Sequence, residues 1–192
     1  MPKLYSYVVD HDTGFAPNPS AGLCTLAKCK FGTTKQNVVE KADEGDWIVG
    51  TGGAKGFARG ESAGIGKLIY AMRVDRKIPL ADYCNEFGTS RIDAGLDDVV
   101  LDGRFALLSK HYYYFGRNGI DISGIPQAHL EHPLEKKGPG FRSDFSESFI
   151  EQFATWLSRT FEVGIHGLPC HPSDGFTIPK CQPMLKRKAR PV

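Results

Sequence analysis

The apolar positions of this chain change period several times, and each change marks an element. Leu4-Tyr5-Ser6-Tyr7-Val8-Val9 alternates with period two, which sets Tyr5, Tyr7 and Val9 on one face of a predicted strand and Leu4, Ser6 and Val8 on the other. Trp47-Ile48-Val49, introduced by Gly45-Asp46, and the run from Lys67 to Val74 read as two further strands. Between them seven glycines from Gly50 to Gly66 predict a long flexible loop. Pro79 suits the first turn of a short helix through Ala81-Asp82-Tyr83-Cys84, and Val99 to Leu101, Phe105 to Leu108 and Tyr112 to Phe115 supply short strands. The clearest helical period is Phe145, Phe149, Phe153, Trp156, Leu157 and Phe161, an apolar stripe that predicts core packing. Asp144 and Glu147 have the spacing of a capping box at its start, and Gly164 is its expected stop.

Length adds one constraint: 192 residues with 41% hydrophobic content predict one core, a single domain over residues 1–185 followed by a basic flexible tail at 186–192. No apolar run approaches the roughly 18 residues of a membrane span. Met-Pro-Lys passes directly into the first strand without the apolar stretch of a secretory signal, so a cytoplasmic location is expected. Five cysteines, at 24, 29, 84, 170 and 181, are expected to be reduced thiols. The formal charge of +2 is nearly balanced, but Lys186, Arg187, Lys188 and Arg190 crowd one short segment, whose functional reading is loose attraction to phosphate.

Several motifs invite chemistry and are weaker than they look. A Walker loop ending at Gly66-Lys67 would need glycine where Glu61 stands, and Leu68 replaces the hydroxyl residue that would hold magnesium. A dinucleotide fingerprint starting at Gly50 and Gly52 meets Lys55 where its third glycine belongs. The segment is therefore either a plain connector or a loop beside a ligand site, closing Lys55 or Arg59 toward an anion. Cys24, Cys29, His166, Cys170 and His171 allow a zinc site to be drawn, but the paired short spacings of structural zinc are missing, and no metal or cofactor is expected. A nucleophilic Cys24 would need a base such as His11 or His111 beside it, which sequence cannot place. Leu107 to Gly116 is the densest aromatic run. Alternation separates Tyr112 and Tyr114 from Tyr113 and Phe115, so one pair is free to stack on a base beside Lys110, Arg117 and Asn118 unless the strand is packed on both faces.

Taken together, Tyr5-Ser6-Tyr7-Val8-Val9, Gly14-Phe15-Ala16-Pro17-Asn18-Pro19, Cys24-Thr25-Leu26-Ala27 with Cys29-Lys30, Gly45 to Gly50, Leu68 to Val74 and Leu108 to Gly116 resemble the second nucleotide-modification-associated domain family over most of the chain. The resemblance implies a nucleotide-centred role in DNA base modification or phage–host conflict and brings no catalytic mechanism with it. An arginine usual after the Cys-Lys pair is not evident, since Phe31-Gly32-Thr33-Thr34 follows Lys30, which weakens an anion contact there. Gly-Asp opening a strand, a loop, and a strand ending in Met72-Arg73-Val74 is also similar to PUA-like barrels, including modified-base readers. That likeness implies an α+β fold: a curved, mostly antiparallel sheet or PUA-like barrel with a long C-terminal helix packed on it.

Three functions follow as expectations. The first is a binding domain for a nucleotide or a modified base in nucleic acid, with Phe15, Trp47, Tyr112 and Tyr114 stacking, Asn18 reading a base edge and Lys110 meeting phosphate. The second is an enzyme acting on a nucleotide, with Asp10 or Asp12 as general base and Lys110 or His111 as acid or phosphate clamp. The third is an interaction module of a defence system that captures a protein partner.

Overall fold

A computed structural model describes residues 1–27, 37–94, 105–126, 134–135 and 140–173. The predicted strand at 99–101, Cys29 and Cys181, and the basic tail lie outside the described residues. The chain folds into an α+β arrangement of two layers of strands, one mixed and one antiparallel, covered by helices. In the larger sheet, strands β1 (Leu4–Val9), β3 (Trp47–Gly52), β4 (Lys67–Arg73), β7 (His111–Tyr114), β9 (Phe141–Arg142) and β10 (Gly164–Ile165) lie in the order β10-β7-β4-β3-β1-β9. A short β8 (Ile120–Asp121) also pairs with β4, beyond the end of its β7 register. β1 runs parallel to β3 and β10 parallel to β7, while the remaining pairs are antiparallel. In the smaller sheet β6 (Phe105–Ser109) lies between β2 (Cys24–Leu26) and β5 (Arg76–Pro79), all antiparallel. Among the described residues neither sheet closes on itself, so the PUA-like barrel is not what these strands form.

Period two explains why the large sheet is covered on both faces. Tyr5, Tyr7 and Val9 of β1, Ile48 of β3, Tyr70 and Met72 of β4, and Tyr112 and Tyr114 of β7 share one cluster with Cys24, Leu26 and Leu107 of the smaller sheet and with α1 (Val38–Lys41). The opposite positions, Leu4, Trp47, Val49, Leu68, Ala71, Tyr113 and Phe115, meet Phe149, Ile150, Phe153 and Leu157 of α4 (Glu147–Thr160). A third cluster joins the far side of the smaller sheet, through Ala106 and Leu108, to α3 (Leu80–Phe87). The layers run helix, large sheet, small sheet, helix. Fully burying a side chain such as Phe149 or Phe153 contributes about 1.5–3 kcal/mol, so the aromatic stripe of α4 holds the outer layer in place.

Four local expectations are corrected. Helix α4 is capped not by Asp144 but by Ser146, whose hydroxyl accepts from the Phe149 N–H at 3.2 Å; the Asp144 carboxylate is taken by the Arg142 guanidinium at 2.9 Å. The helix ends at Thr160 with Phe161 as its extended C-cap, and Gly164 instead opens β10. The glycine-rich stretch is not a bare loop: β3 extends through Gly52 and a short helix, α2 (Ala54–Ala58), follows at once. Pro79 closes β5 and caps α3 from outside rather than sitting within its first turn.

Candidate functional site

The parallel pair β1 and β3 ends in two polar turns that lie against one another. Beyond Val9 the chain continues as Asp10-His11-Asp12-Thr13, and beyond Gly52 as Gly53 and α2. In open sheets, ligands gather outside the carboxyl ends of parallel strands. The close approach here depends on missing side chains: a Cβ on Gly53 would fall 1.8 Å from Oδ1 of Asp10, and one on Gly56 would fall 1.7 Å from the Asp10 carbonyl oxygen. Ser62 ties the returning chain to both strands, donating to the Val9 carbonyl at 3.0 Å and accepting from the Gly53 N–H at 3.1 Å.

On this knot of glycines the Phe57 ring is 63% exposed, an unusual place for a phenylalanine. One side of the ring lies on Gly64, where a Cβ would be only 2.9 Å from it, so the ring is supported from beneath and open above. Lys55 and Arg59 flank it in sequence, and both are exposed. Arg59 donates through Nε to Glu61 at 2.8 Å, and the same Glu61 oxygen lies 2.7 Å from Nδ1 of His11. The Arg59 guanidinium beside Glu61, with His11 adding to it, holds that carboxyl below its ordinary range. Asp10 is half-buried and its carboxylate makes no hydrogen bond to another described residue.

Beneath this rim lies a second, sealed group. Asp12 has no exposed surface; it accepts from the Tyr114 hydroxyl and from the Cys170 N–H at 3.2 Å. Burial raises its carboxyl above the ordinary value despite the opposing pull of those two bonds. Burial and the Asp12 charge push the Cys170 thiol up to about 12 and Tyr114 well above its usual range, so neither is a ready nucleophile or base. The main chain completes the joint: Asp12 N–H donates to the Glu61 carbonyl at 2.7 Å, His171 N–H to Asp12 at 3.0 Å and Ser173 N–H to Thr13 at 2.9 Å.

The residues singled out from sequence are scattered by this geometry. Trp47, 4% exposed, is walled in by His111 and Phe153, and Tyr112 and Tyr114 are 1% and 0% exposed in the layer between the sheets. A ring packed on both sides has no face left for a base. Asn18, 1% exposed, donates its amide to Asp93 at 2.8 Å and accepts from Ser20 N–H, so its edge is already read by the protein. Phe15 is half-buried in the turn after Thr13. Lys110 is exposed and His111 half-buried, its imidazole held below the usual value by burial. Both sit at the far end of the sheet: His111 pairs with Arg73, Arg73 with Trp47, and Trp47 with Leu4. The length of β1, about 16 Å at 3.3 Å per residue, therefore separates them from Asp10 and Asp12, and the two pairs do not share a reaction centre.

For the zinc drawing, Cys24 is fully buried and its thiol is raised by burial, and His166 packs between Phe115 and Phe161. Among the described residues no cluster of three or more His, Cys, Asp or Glu side chains could hold a metal ion. Nor is any helix there long and apolar enough to cross a membrane.

Sequence reasoning overlooked Phe57, whose only signal is an aromatic between two cations in a glycine-rich stretch. It also overlooked Arg91 and Asp93, which no pattern marks. What the site belongs to follows from a family comparison: the model of nucleotide modification associated domain 2 matches residues 1–94 and 88–176. The chain belongs to this family. Its nucleotide modification context is therefore the setting in which the rim at Asp10, Phe57 and Glu61 is read. No curated protein and no solved structure matches the chain.

Proposed function

We propose that this protein binds a nucleotide or a modified base at the rim where β1 and β3 end. The observation that carries the reading is the exposed Phe57 ring, supported by Gly64 and flanked by Lys55 and Arg59. A supported ring with one open face suits base stacking, and the two cations suit a phosphate. Asp10, with its carboxylate free of described partners, accepts from the amino or imino edge of the base. Family membership in a nucleotide modification context supports the same reading.

The test is a calorimetric or thermal-shift titration of nucleotides and modified nucleosides against the wild-type protein and Phe57→Ala. Loss of one stacked base costs roughly 1–3 kcal/mol, or about 5- to 150-fold in affinity. Unchanged affinity in Phe57→Ala would remove the ring from the site. A second reading, an enzyme acting on the bound nucleotide, rests on the same Asp10, whose carboxylate makes no hydrogen bond to another described residue, as general base. A product of altered mass, formed by the wild type and abolished in Asp10→Asn with binding retained, would favour it.

A further inference from the structure

Three side chains of the rim meet on one oxygen. Oε2 of Glu61 accepts from Nε of Arg59 at 2.8 Å and from Nδ1 of His11 at 2.7 Å. Nη2 of Arg59 closes the triangle, 3.3 Å from Nε2 of His11. An arginine only donates, so Nε2 is the accepting nitrogen and Nδ1 carries the proton that meets Glu61. The main chain fixes where these side chains start. Glu61 N–H donates to the Gly56 carbonyl at 2.8 Å, Asp12 N–H to the Glu61 carbonyl at 2.7 Å, and Arg59 N–H to Gly56 at 3.1 Å. His11 lies between Asp12, held in this way, and Asp10, whose carbonyl packs on Gly56. Between Arg59 and Glu61 the chain turns at Gly60 with φ +73°, a conformation that favours glycine.

The backbone thus holds two donors in place around an acid that contributes little to the fold. The side chains of His11 and Arg59 are more than half exposed and that of Glu61 is partly so, and water is an alternative partner for all three. Two donors converging on one anionic oxygen have the arrangement that receives a phosphate. Phe57 precedes Arg59 by two residues, and Gly64, on which its ring lies, follows Glu61 by three, so the donors and the ring belong to one turn. There is room for one anion: Asp10, the neighbour of His11, is half-buried and acidic, and it repels a second phosphate. Building on the proposed base site, we infer that Glu61 occupies the phosphate seat of that site. The ligand is a nucleoside monophosphate whose phosphate displaces the Glu61 carboxylate from Arg59 and His11 while its base lies on Phe57. A free nucleoside has no group for the seat and leaves Glu61 where it is.

The experiment titrates nucleoside 5′-monophosphates, the matching nucleosides, inorganic phosphate and a 12-nucleotide single strand into wild type, Glu61→Gln, His11→Ala and Phe57→Ala. Glutamine keeps the shape of Glu61 and removes its charge. Glu61→Gln should bind monophosphates about two- to fivefold more tightly than wild type, the gain from releasing an exposed ion pair, and nucleosides equally. His11→Ala should lose about two- to tenfold for monophosphates, the effect of one hydrogen bond, and nothing for nucleosides. Thermal midpoints of both variants should stay near that of the wild type, because the main-chain bonds of the turn are kept. Wild-type protein that binds monophosphates no better than nucleosides overturns the inference, as does Glu61→Gln that binds them no more tightly than wild type. A strand bound more tightly than any monophosphate overturns it too. If Glu61→Gln changes nothing while Phe57→Ala weakens every nucleoside, the base site stands and the phosphate seat falls. If Phe57→Ala leaves all affinities intact while Glu61→Gln still tightens monophosphates and inorganic phosphate, the base site is wrong and the seat stands.

Discussion

Two networks in this molecule pair an arginine with a carboxylate, and they could hardly be used more differently. Arg91 and Asp93 are sealed, with side chains 3% and 0% exposed. Arg91 donates to the carbonyls of Asn18, Ser20 and Leu23 at 2.8–3.1 Å, to Thr25 and to Tyr83, while Asp93 accepts from Asn18 and Thr25. Every partner is protein, so the pair braces the turn from 18 to 25 against the start of the smaller sheet. Arg59 and Glu61, with His11, face solvent at the rim of the large sheet, with side chains 53% and 25% exposed. The same chemistry there contributes little to stability, because water is an alternative partner, and for the same reason it can exchange a protein partner for a ligand. Exposure, not residue type, separates a brace from a binding group.

The comparison breaks most easily at the sealed network. Arg91→Met should cost on the order of 3–5 kcal/mol, since it leaves Asp93 charged and buried and strips donors from three carbonyls. Urea denaturation of wild type and variant measures this directly. A change below about 1 kcal/mol would mean that the pair is no brace.

That network also shows where sequence stops being informative. The alternation in β1 and β7 and the stripe of α4 were legible because each element meets a cover with a single period; Tyr5, Tyr7 and Val9 do share one face, as do Phe149, Phe153 and Leu157. β2 and β5 were not, being three and four residues long, and β5 carries Arg76 and Lys77 as an edge strand does. The site fared worse for a physical reason. Tyr112 and Tyr114 would line a free face only if the large sheet had one cover, and the second sheet, built from residues far apart in sequence, provides the other. Asn18 carries the right groups for a base edge, but Asp93 lies 75 residues on and claims them. Asp10 and Asp12 were singled out by their chemistry alone; that one is half-open and the other sealed depends on glycines and on the 170–173 segment bonded to Asp12 and Thr13.

Asp12 and Glu61 sharpen the comparison through pH, with opposite signs. Asp12 is raised in the fold by burial, so between the ordinary carboxylate value of 3.8 and its raised value the folded protein holds a proton that the unfolded chain has released. Its contribution to stability is full below about pH 4 and is lost as pH rises through the raised value. Glu61 is lowered, chiefly by Arg59, so its contribution is present above the ordinary value and is lost as pH falls through the lowered one. Asp12→Asn keeps an acceptor for Tyr114 and removes the first dependence. Relative to wild type the variant should gain stability from pH 4 to pH 7, by about 1.4 kcal/mol for each unit by which Asp12 is raised. Denaturation curves at several pH values with parallel wild-type and variant profiles would show that Asp12 titrates normally.

The smallest effect on folding should come from Arg59→Ala, and its smallness is the informative part. Arg59 is more than half exposed and its bond to Glu61 is bathed in solvent, so the denaturation midpoint should stay within experimental error of the wild type. Nucleotide affinity should instead fall severalfold at low salt, and the loss should shrink as added ions screen the phosphate contact over a Debye length of about 10 Å at 0.1 M. A variant that unfolds early would place Arg59 with Arg91 among the braces. One with unchanged midpoint and unchanged affinity would leave the Arg59–Glu61–His11 group without a ligand role and shift the phosphate contact to Lys55, which flanks Phe57 on its other side.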